Sequence, residues 1–292
     1  MRILSPTYEI WNQEAGLDGL YKQIERCGRV CYKSEGNRTE SSAKPFVERM
    51  IKSDHTAMLE HGTVYMTMNS KQAEKYILNK FSKCVCENEQ AFVTTNLRVL
   101  AENKWMDDLT YMTEPSAKHE KRVTVHFTTQ ISITREFNRH RANSMAEQST
   151  RYCNYTKDKF GSEITVNTPH WIGQLLPDNT DTVVETTDFK QLCSQIASGE
   201  ASEKWTLLDN WLFANLACEF AYMNLIRLGC KPQDARAILP LDTNTELIHT
   251  AFVSDWKHFF NLRAIGTTGV PHPDAQKLAK PLYEEFTKLG LI

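Results

Sequence analysis

The sequence predicts an α+β fold, a mixed sheet flanked by long helices. Three observations carry this expectation. Segments that alternate with period two stand beside segments with a helical period, and no strand–helix–strand rhythm repeats. No Pro-, Gly- or Ser-rich linker divides the 292 residues, so a single domain over 1–292 is expected. The composition is that of an average soluble protein, with 41% hydrophobic and 24% charged residues. That apolar content excludes a disordered chain, and 12 Gly without a period exclude a collagen-like one. Lys and Arg number 34 against 36 Asp and Glu, so a whole-molecule basic field for nucleic acid is absent.

In chain order, Thr63–Met68 reads as a strand. Ser70–Phe81 reads as a helix with Ser70 as N-cap and Ala73, Ile77 and Phe81 on one face. Arg122–Thr129 alternates Val123, Val125 and Phe127 against Thr124, His126 and Thr128, the pattern of a half-buried strand. Ile131 to about Arg141 reads as helical. Ser202–Leu228 is the longest helix candidate, closed by Gly229, and its apolar residues run nearly all round, which points to deep burial or a subunit interface. A short helix over Gln233–Ile238 stops at Pro240, and Thr243–Val253 alternates loosely. Ser254 and Asp255 open a helix through Trp256, Phe259, Phe260 and Leu262. The last helix covers Pro273–Leu289 and is kinked at Pro281.

The N-terminus lacks the apolar core of a signal peptide. The best apolar run, Leu207–Ile226, is broken by Asp209, Asn210, Asn215 and Glu219. A cytoplasmic protein with no membrane partner is therefore expected. The eight cysteines are then expected as reduced thiols, with Cys84 and Cys86 the only tight pair and no metal site. There is no G-x-G-x-x-G, no P-loop, no G-x-S-x-G and no H-E-x-x-H.

One segment stands out. Arg135 to Tyr152 holds four arginines, His140, Glu136 and Glu147. On a helix, Arg135 and Arg139 share a face, as do Glu136 and His140. Beyond it, Glu147, Ser149 and Arg151 alternate, so an extended chain points all three the same way. Arginine offers a bidentate fork to phosphate, serine a hydroxyl, and glutamate an acceptor for a ring N–H or sugar hydroxyl. The residues alone fit two readings equally, a grip on an anionic ligand such as a nucleotide, and a solvated charged face. A nucleic-acid-binding module and a metal-dependent hydrolase are further alternatives. The first lacks a Lys/Arg stripe and the second lacks paired His spacing.

The string R-H-R-x-x-S-x-x-E-x-S-x-R-Y, at Arg139, His140, Arg141, Ser144, Glu147, Ser149, Arg151 and Tyr152, resembles the signature of the flavin-dependent thymidylate synthases. Leu59-Glu60-His61 resembles the family's Glu-His element. Asp234 to Pro240, Trp256 to Arg263, and later His272 and Ala275-Gln276 resemble its C-terminal half. The resemblance implies conversion of dUMP to dTMP, with methylenetetrahydrofolate as carbon donor and NADPH as reductant through tightly bound FAD. It further implies a methyltransferase that is a homotetramer with sites between subunits, that uses no cysteine nucleophile, and that has no nucleic-acid partner.

By position, the resemblance places Arg139, His140, Arg141, His61, Thr63, Ser254 and His258 at FAD, and Glu147 between flavin and dUMP. It places Ser149, Thr150 and Arg151 on dUMP, with Arg151 at the phosphate, joined by Glu136, Arg139 and, from a neighbouring subunit, Arg236. Arg263 is placed at the uracil as the catalytic residue, favouring ionisation at N3. Two residues depart from the pattern. Glu136 stands where relatives often have Gln, and Phe252 where some have an FAD-contacting Asn. Residues about 69–121 form an insertion that compact relatives lack, with a lid, an interface element or a surface subdomain as the options.

Overall fold

The alternating segment around Val125 is the centre of the molecule. In the computed structural model, which describes residues 1–173, 175–176 and 181–292, Arg122–Gln130 is the strand β6. The elements before it are β1 (Arg2–Leu4), β2 (Thr7–Trp11), α1 (Gly16–Val30), α2 (Ala43–Lys52), β3 (Thr63–Asn69), α3 (Ser70–Ile77), β4 (Lys83–Glu87), β5 (Gln90–Asn96) and α4 (Leu97–Glu102). After it come α5 (Ile131–Phe137), β7 (Ser144–Glu147), β8 (Thr165–Asn167), α6 (His170–Gly173), β9 (Asp181–Val183), α7 (Thr186–Ser198), α8 (Ala201–Lys204) and α9 (Leu207–Arg227). The chain closes with α10 (Pro232–Ala235), β10 (Asn244–Phe252), α11 (Val253–Phe260) and α12 (Pro273–Lys288).

The strands form three sheets among the described residues, not the one mixed sheet expected. The central sheet, in the order β2-β6-β10-β7, is antiparallel throughout. A second antiparallel sheet runs β3-β5-β4. The third, β8-β1-β9, is the mixed one, with β1 parallel to β8 and antiparallel to β9. Pairings such as β1 with β8 join residues far apart in sequence, and no local period announces them.

Successive residues of the central sheet face opposite layers. Val125, Phe127 and Leu247 pack under Phe137 of α5, Trp256 and Phe259 of α11, and Leu282 and Phe286 of α12. Trp256 is fully buried, and its indole N–H donates to the Val123 carbonyl at 3.1 Å. On the other face, Ala146 and Ile248 meet Trp11 and Cys27 and Val30 of α1. The N-terminal part of the same helix, through Leu20 and Ile24, enters another core with Phe46, Met66, Tyr76, Val93 and Leu100. Residues 69–121 therefore supply two strands of the three-stranded sheet and much of a core, and α1 lies between that core and the central sheet.

Several local expectations change. The α3 N-cap is Asn69 and not Ser70: its side chain accepts from the Lys71 N–H at 2.9 Å, and Gln72 returns a bond to the Asn69 N–H. Ala73 is buried as expected, but Ile77 and Phe81 are exposed, and Tyr76 fills the core in their place. The helix expected over Ser202–Leu228 breaks at Trp205. Thr206, in a capping box with Asp209, starts the 21-residue α9 afresh. Gly229 takes the left-handed conformation after α9, at φ +92°, as its cap position requires. Helix α12 runs on through Pro281. All eight cysteines are free thiols. Among the described residues, no helix is long and apolar enough to cross a membrane.

Candidate active site at the end of α5

Helix α5 stops at Phe137, earlier than its charge pattern suggests. Arg139 to Asn143 form tight turns instead, with the His140 N–H on the Phe137 carbonyl at 3.1 Å and the Asn143 N–H on the His140 carbonyl at 3.1 Å. The helical pairings of Arg135 with Arg139 and of Glu136 with His140 are therefore not made. The turns sort the three motif residues. Arg139 and Arg141 point into solvent, whereas His140 is buried against Phe259, with ring centroids 5.0 Å apart.

Arg263 reaches this corner from the chain that follows α11. There Asn261–Ile265 form a π-helical turn, closed by the Gly266 N–H on the Asn261 carbonyl at 2.9 Å. Arg263 Nη1 lies 2.5 Å from Glu136 Oε2, Nη2 donates to the Glu136 carbonyl at 2.8 Å, and Nε points at His140 Nε2 at 3.4 Å. A ring nitrogen that accepts is unprotonated. Burial first, then the neighbouring Arg263 and His258, push the His140 pKa down to about 4, so its imidazole is neutral near pH 7. His258 is exposed, with its ring 5.6 Å from that of His140.

Glu147 closes β7 beside the same helix. Its carboxylate accepts from Thr134 Oγ1 at 2.7 Å and from Asn138 Nδ2 at 3.1 Å. Past Glu147 the chain turns, with the Cys153 N–H on the Ser149 carbonyl at 2.9 Å, so Glu147, Ser149 and Arg151 do not form the extended row expected. The Ser149 N–H is anchored on the Cys31 carbonyl at 2.9 Å, just past α1, and Ser149 Oγ accepts from the Arg151 N–H at 3.3 Å. Arg236 Nη1 donates to Thr150 Oγ1 at 3.2 Å within the same chain. Arg151 is exposed, with its guanidinium 5.2 Å from the centre of the Tyr152 ring.

His61 and Thr63 belong to a second cluster. His61 is fully buried, with Nδ1 2.8 Å from Thr250 Oγ1 and Nε2 without a hydrogen-bond partner among the described residues. Burial first, and Arg122 second, lower its pKa to about 3. Arg122 donates to Thr63 Oγ1 at 3.2 Å, the Glu60 carbonyl at 3.1 Å and Ser144 Oγ at 3.2 Å. Burial pulls even this guanidinium down, to about 10. Between the clusters lies His249, fully buried, stacked 4.1 Å from Trp256 and accepting at Nε2 from Asn143 Nδ2 at 2.6 Å. Its pKa is far below the ordinary value, by burial and then by His140 and His61. Ser254 stands at the exposed start of α11, where its hydroxyl and N–H are held by Glu120.

The structure thus joins Glu136, His140 and Arg263, sets Glu147 of β7 against the end of α5, and pairs Thr150 with Arg236. Sequence reasoning missed Arg122, Thr134, Asn138, Asn143 and His249. Asn143 lay inside the motif string and could have been taken from it. Arg122 opens an alternating strand, and nothing in the pattern reveals that its charge is buried.

The model of the family described as thymidylate synthase complementing protein matches residues 70–289. His61 and Thr63 precede the matched range. No curated protein matches the chain. Two crystal structures of the UMP/dUMP methylase PolB from Streptomyces cacaoi are similar at a TM-score of 0.42 and 16% identity. The one bound with 5-Br dUMP aligns over 99% of this chain and 93% of that chain, and the one bound with 5-Br UMP over 98% and 91%. The family match takes in well over half of the sequence, with the R-H-R string and the Arg263 turn inside it, and the chain belongs to the flavin-dependent thymidylate synthase family.

Proposed function

We propose that this protein methylates dUMP to dTMP, with methylenetetrahydrofolate as the carbon donor and NADPH as the reductant through FAD, as a cytoplasmic homotetramer with sites between subunits. The observation that carries the reading is the convergence of Arg263, Glu136 and His140 on the end of α5, beside Glu147. A cation, an acceptor and a neutral imidazole on one corner suit a pyrimidine edge that offers both N–H and C=O.

A fixed guanidinium next to an imide N–H stabilises the conjugate anion and makes the ring a better carbon nucleophile. Arg263 fills that role here. Glu136 orients it through two contacts and tempers its charge. Glu147, held by Thr134 and Asn138, keeps an acceptor fixed between the ligands. Ser149, Thr150 and Arg151 grip the nucleotide, with Arg151 on the phosphate, Arg236 steadying Thr150, and Arg139 supporting the same ligand. Ser149 binds and does not attack: its hydroxyl accepts from a backbone N–H, and among the described residues no His or Lys contacts it as a base.

The residues fit a flavin on one structural observation. His61, His140 and His249 are all held neutral, and His61 Nε2 is left without a partner, which suits a planar ring that exchanges hydrogen bonds without charge. His61, Thr63, Arg139, His140, Arg141, Glu147, Ser254 and His258 are the residues to hold it. Bound FAD would supply the hydride chemistry that no side chain of the protein can. The test is the purified protein itself. It is expected to be yellow, with a flavin spectrum bleached by NADPH. A colourless protein that FAD cannot reconstitute overturns the reading.

A further inference from the structure

The insertion walls one side of a small cleft whose other side belongs to the motif region. Lys80 and Lys83 stand on the insertion side, and Arg122, Ser144, Phe252 and Asp255 stand opposite. The cleft holds about 60 Å³. About 10–15 Å³ of such space takes one water, so there is room for a few waters or one tetrahedral anion.

The charges in it are unbalanced. Three cations face one carboxylate, Asp255. Three other cations of residues 69–121 are paired: Lys75 with Asp108 at 2.6 Å, Arg98 with Glu60 and Glu102, and Lys118 with Glu87. Lys80 and Lys83 instead lie over aromatic rings, Lys80 4.7 Å from the centre of Phe81 and Lys83 5.6 Å from that of Phe252. Arg122 lies 5.4 Å from the same Phe252 ring, and its hydrogen bonds go only to neutral oxygens. Its Nε is shut away from solvent with no partner among the described residues. A ring shared by two cations brings like charges together, and an anion between them removes the repulsion. This also gives Phe252 a use: it cannot make a polar contact, but its ring face seats both cations.

We propose that this cleft is an anion site that takes a phosphate group of a bound dinucleotide, and that the insertion serves the active site by supplying Lys80 and Lys83 to it. The dinucleotide rests on the function proposed above, whereas the anion site does not.

The experiment titrates the full-length protein with inorganic phosphate by calorimetry, in the wild type and in a Lys80→Gln/Lys83→Gln double variant. Both lysines are exposed, so unchanged thermal unfolding is expected to show that the variant is folded. The expected result is millimolar or tighter binding to the wild type, weakened about tenfold in the double variant and retained in Lys83→Arg. No binding to the wild type, or equal binding to both, overturns the proposal. Direct titrations of FAD, NADPH and NADH then identify the source. About tenfold weaker FAD binding assigns a flavin phosphate, and weaker NADPH but unchanged NADH binding assigns the 2′-phosphate. If phosphate binding responds to the lysines and none of the dinucleotides does, the dinucleotide assignment is wrong. If the protein binds phosphate through the lysines but takes up no flavin, the anion site stands and the flavin reading falls.

Discussion

Arg263 is engaged at all three guanidinium nitrogens by its own chain, twice by Glu136. A substrate that needs this charge must compete with Glu136 for it. Arg263→Ala is expected to keep FAD and lose dTMP formation, and full turnover in that variant would remove Arg263 from the chemistry. Glu136→Gln keeps an acceptor but removes the opposing charge. Its pH–rate profile is expected to show the acidic limb moved to lower pH, because ionisation of the pyrimidine becomes easier; an unmoved limb argues against contact between Glu136 and the base. The buried histidines give a separate expectation for stability. His140 and His61 titrate near 4 and 3 when folded, below the ordinary value of about 6.5. Between these limits the unfolded chain binds more protons, so folding is favoured in full above about pH 6.5 and loses stability as pH falls toward 4. Thermal unfolding followed from pH 7 to 4 checks this. A melting temperature flat across that window would mean that these rings are not buried neutral. The motif residues were legible because their order along the chain is itself the signal. The partners of Glu147 were not, because Thr134 and Asn138 meet it only when β7 returns alongside α5.

At the scale of elements, legibility followed locality. Strands β6 and β10 carry their periodicity in the sequence, and α12 ends where its pattern ends. Strands β1 and β2 are short and exist through partners far along the chain, so no period could announce them. The end of α5 was overestimated because a row of charged residues is as compatible with a turn as with a helix face. The role of residues 69–121 was not legible at all. It packs as a structural layer: Tyr76 is fully buried against Trp105, at 5.1 Å between ring centres, and its hydroxyl donates to Asp108 at 2.5 Å. Tyr76→Ala is expected to cost about 3–5 kcal/mol, the range for losing a large buried aromatic ring. The loss should appear as a shift of the single main transition in a denaturant melt. A separate early transition, with the main one unmoved, would identify the insertion as an independent subdomain.

For the molecule as a whole, α1 is the member with two allegiances. Leu20 and Ile24 belong to the core built with residues 69–121, while Cys27 and Val30 belong to the back of the central sheet. Just past its end, the Cys31 carbonyl pins Ser149, the start of the turn that carries Thr150 and Arg151. A helix shared in this way ties these two cores together. Loosening residues 69–121 exposes one end of α1, and the other end holds the Ser149 turn in register. In the language of local unfolding, residues 69–121, α1 and that turn are expected to open as one cooperative unit, with their slowest amides exchanging together.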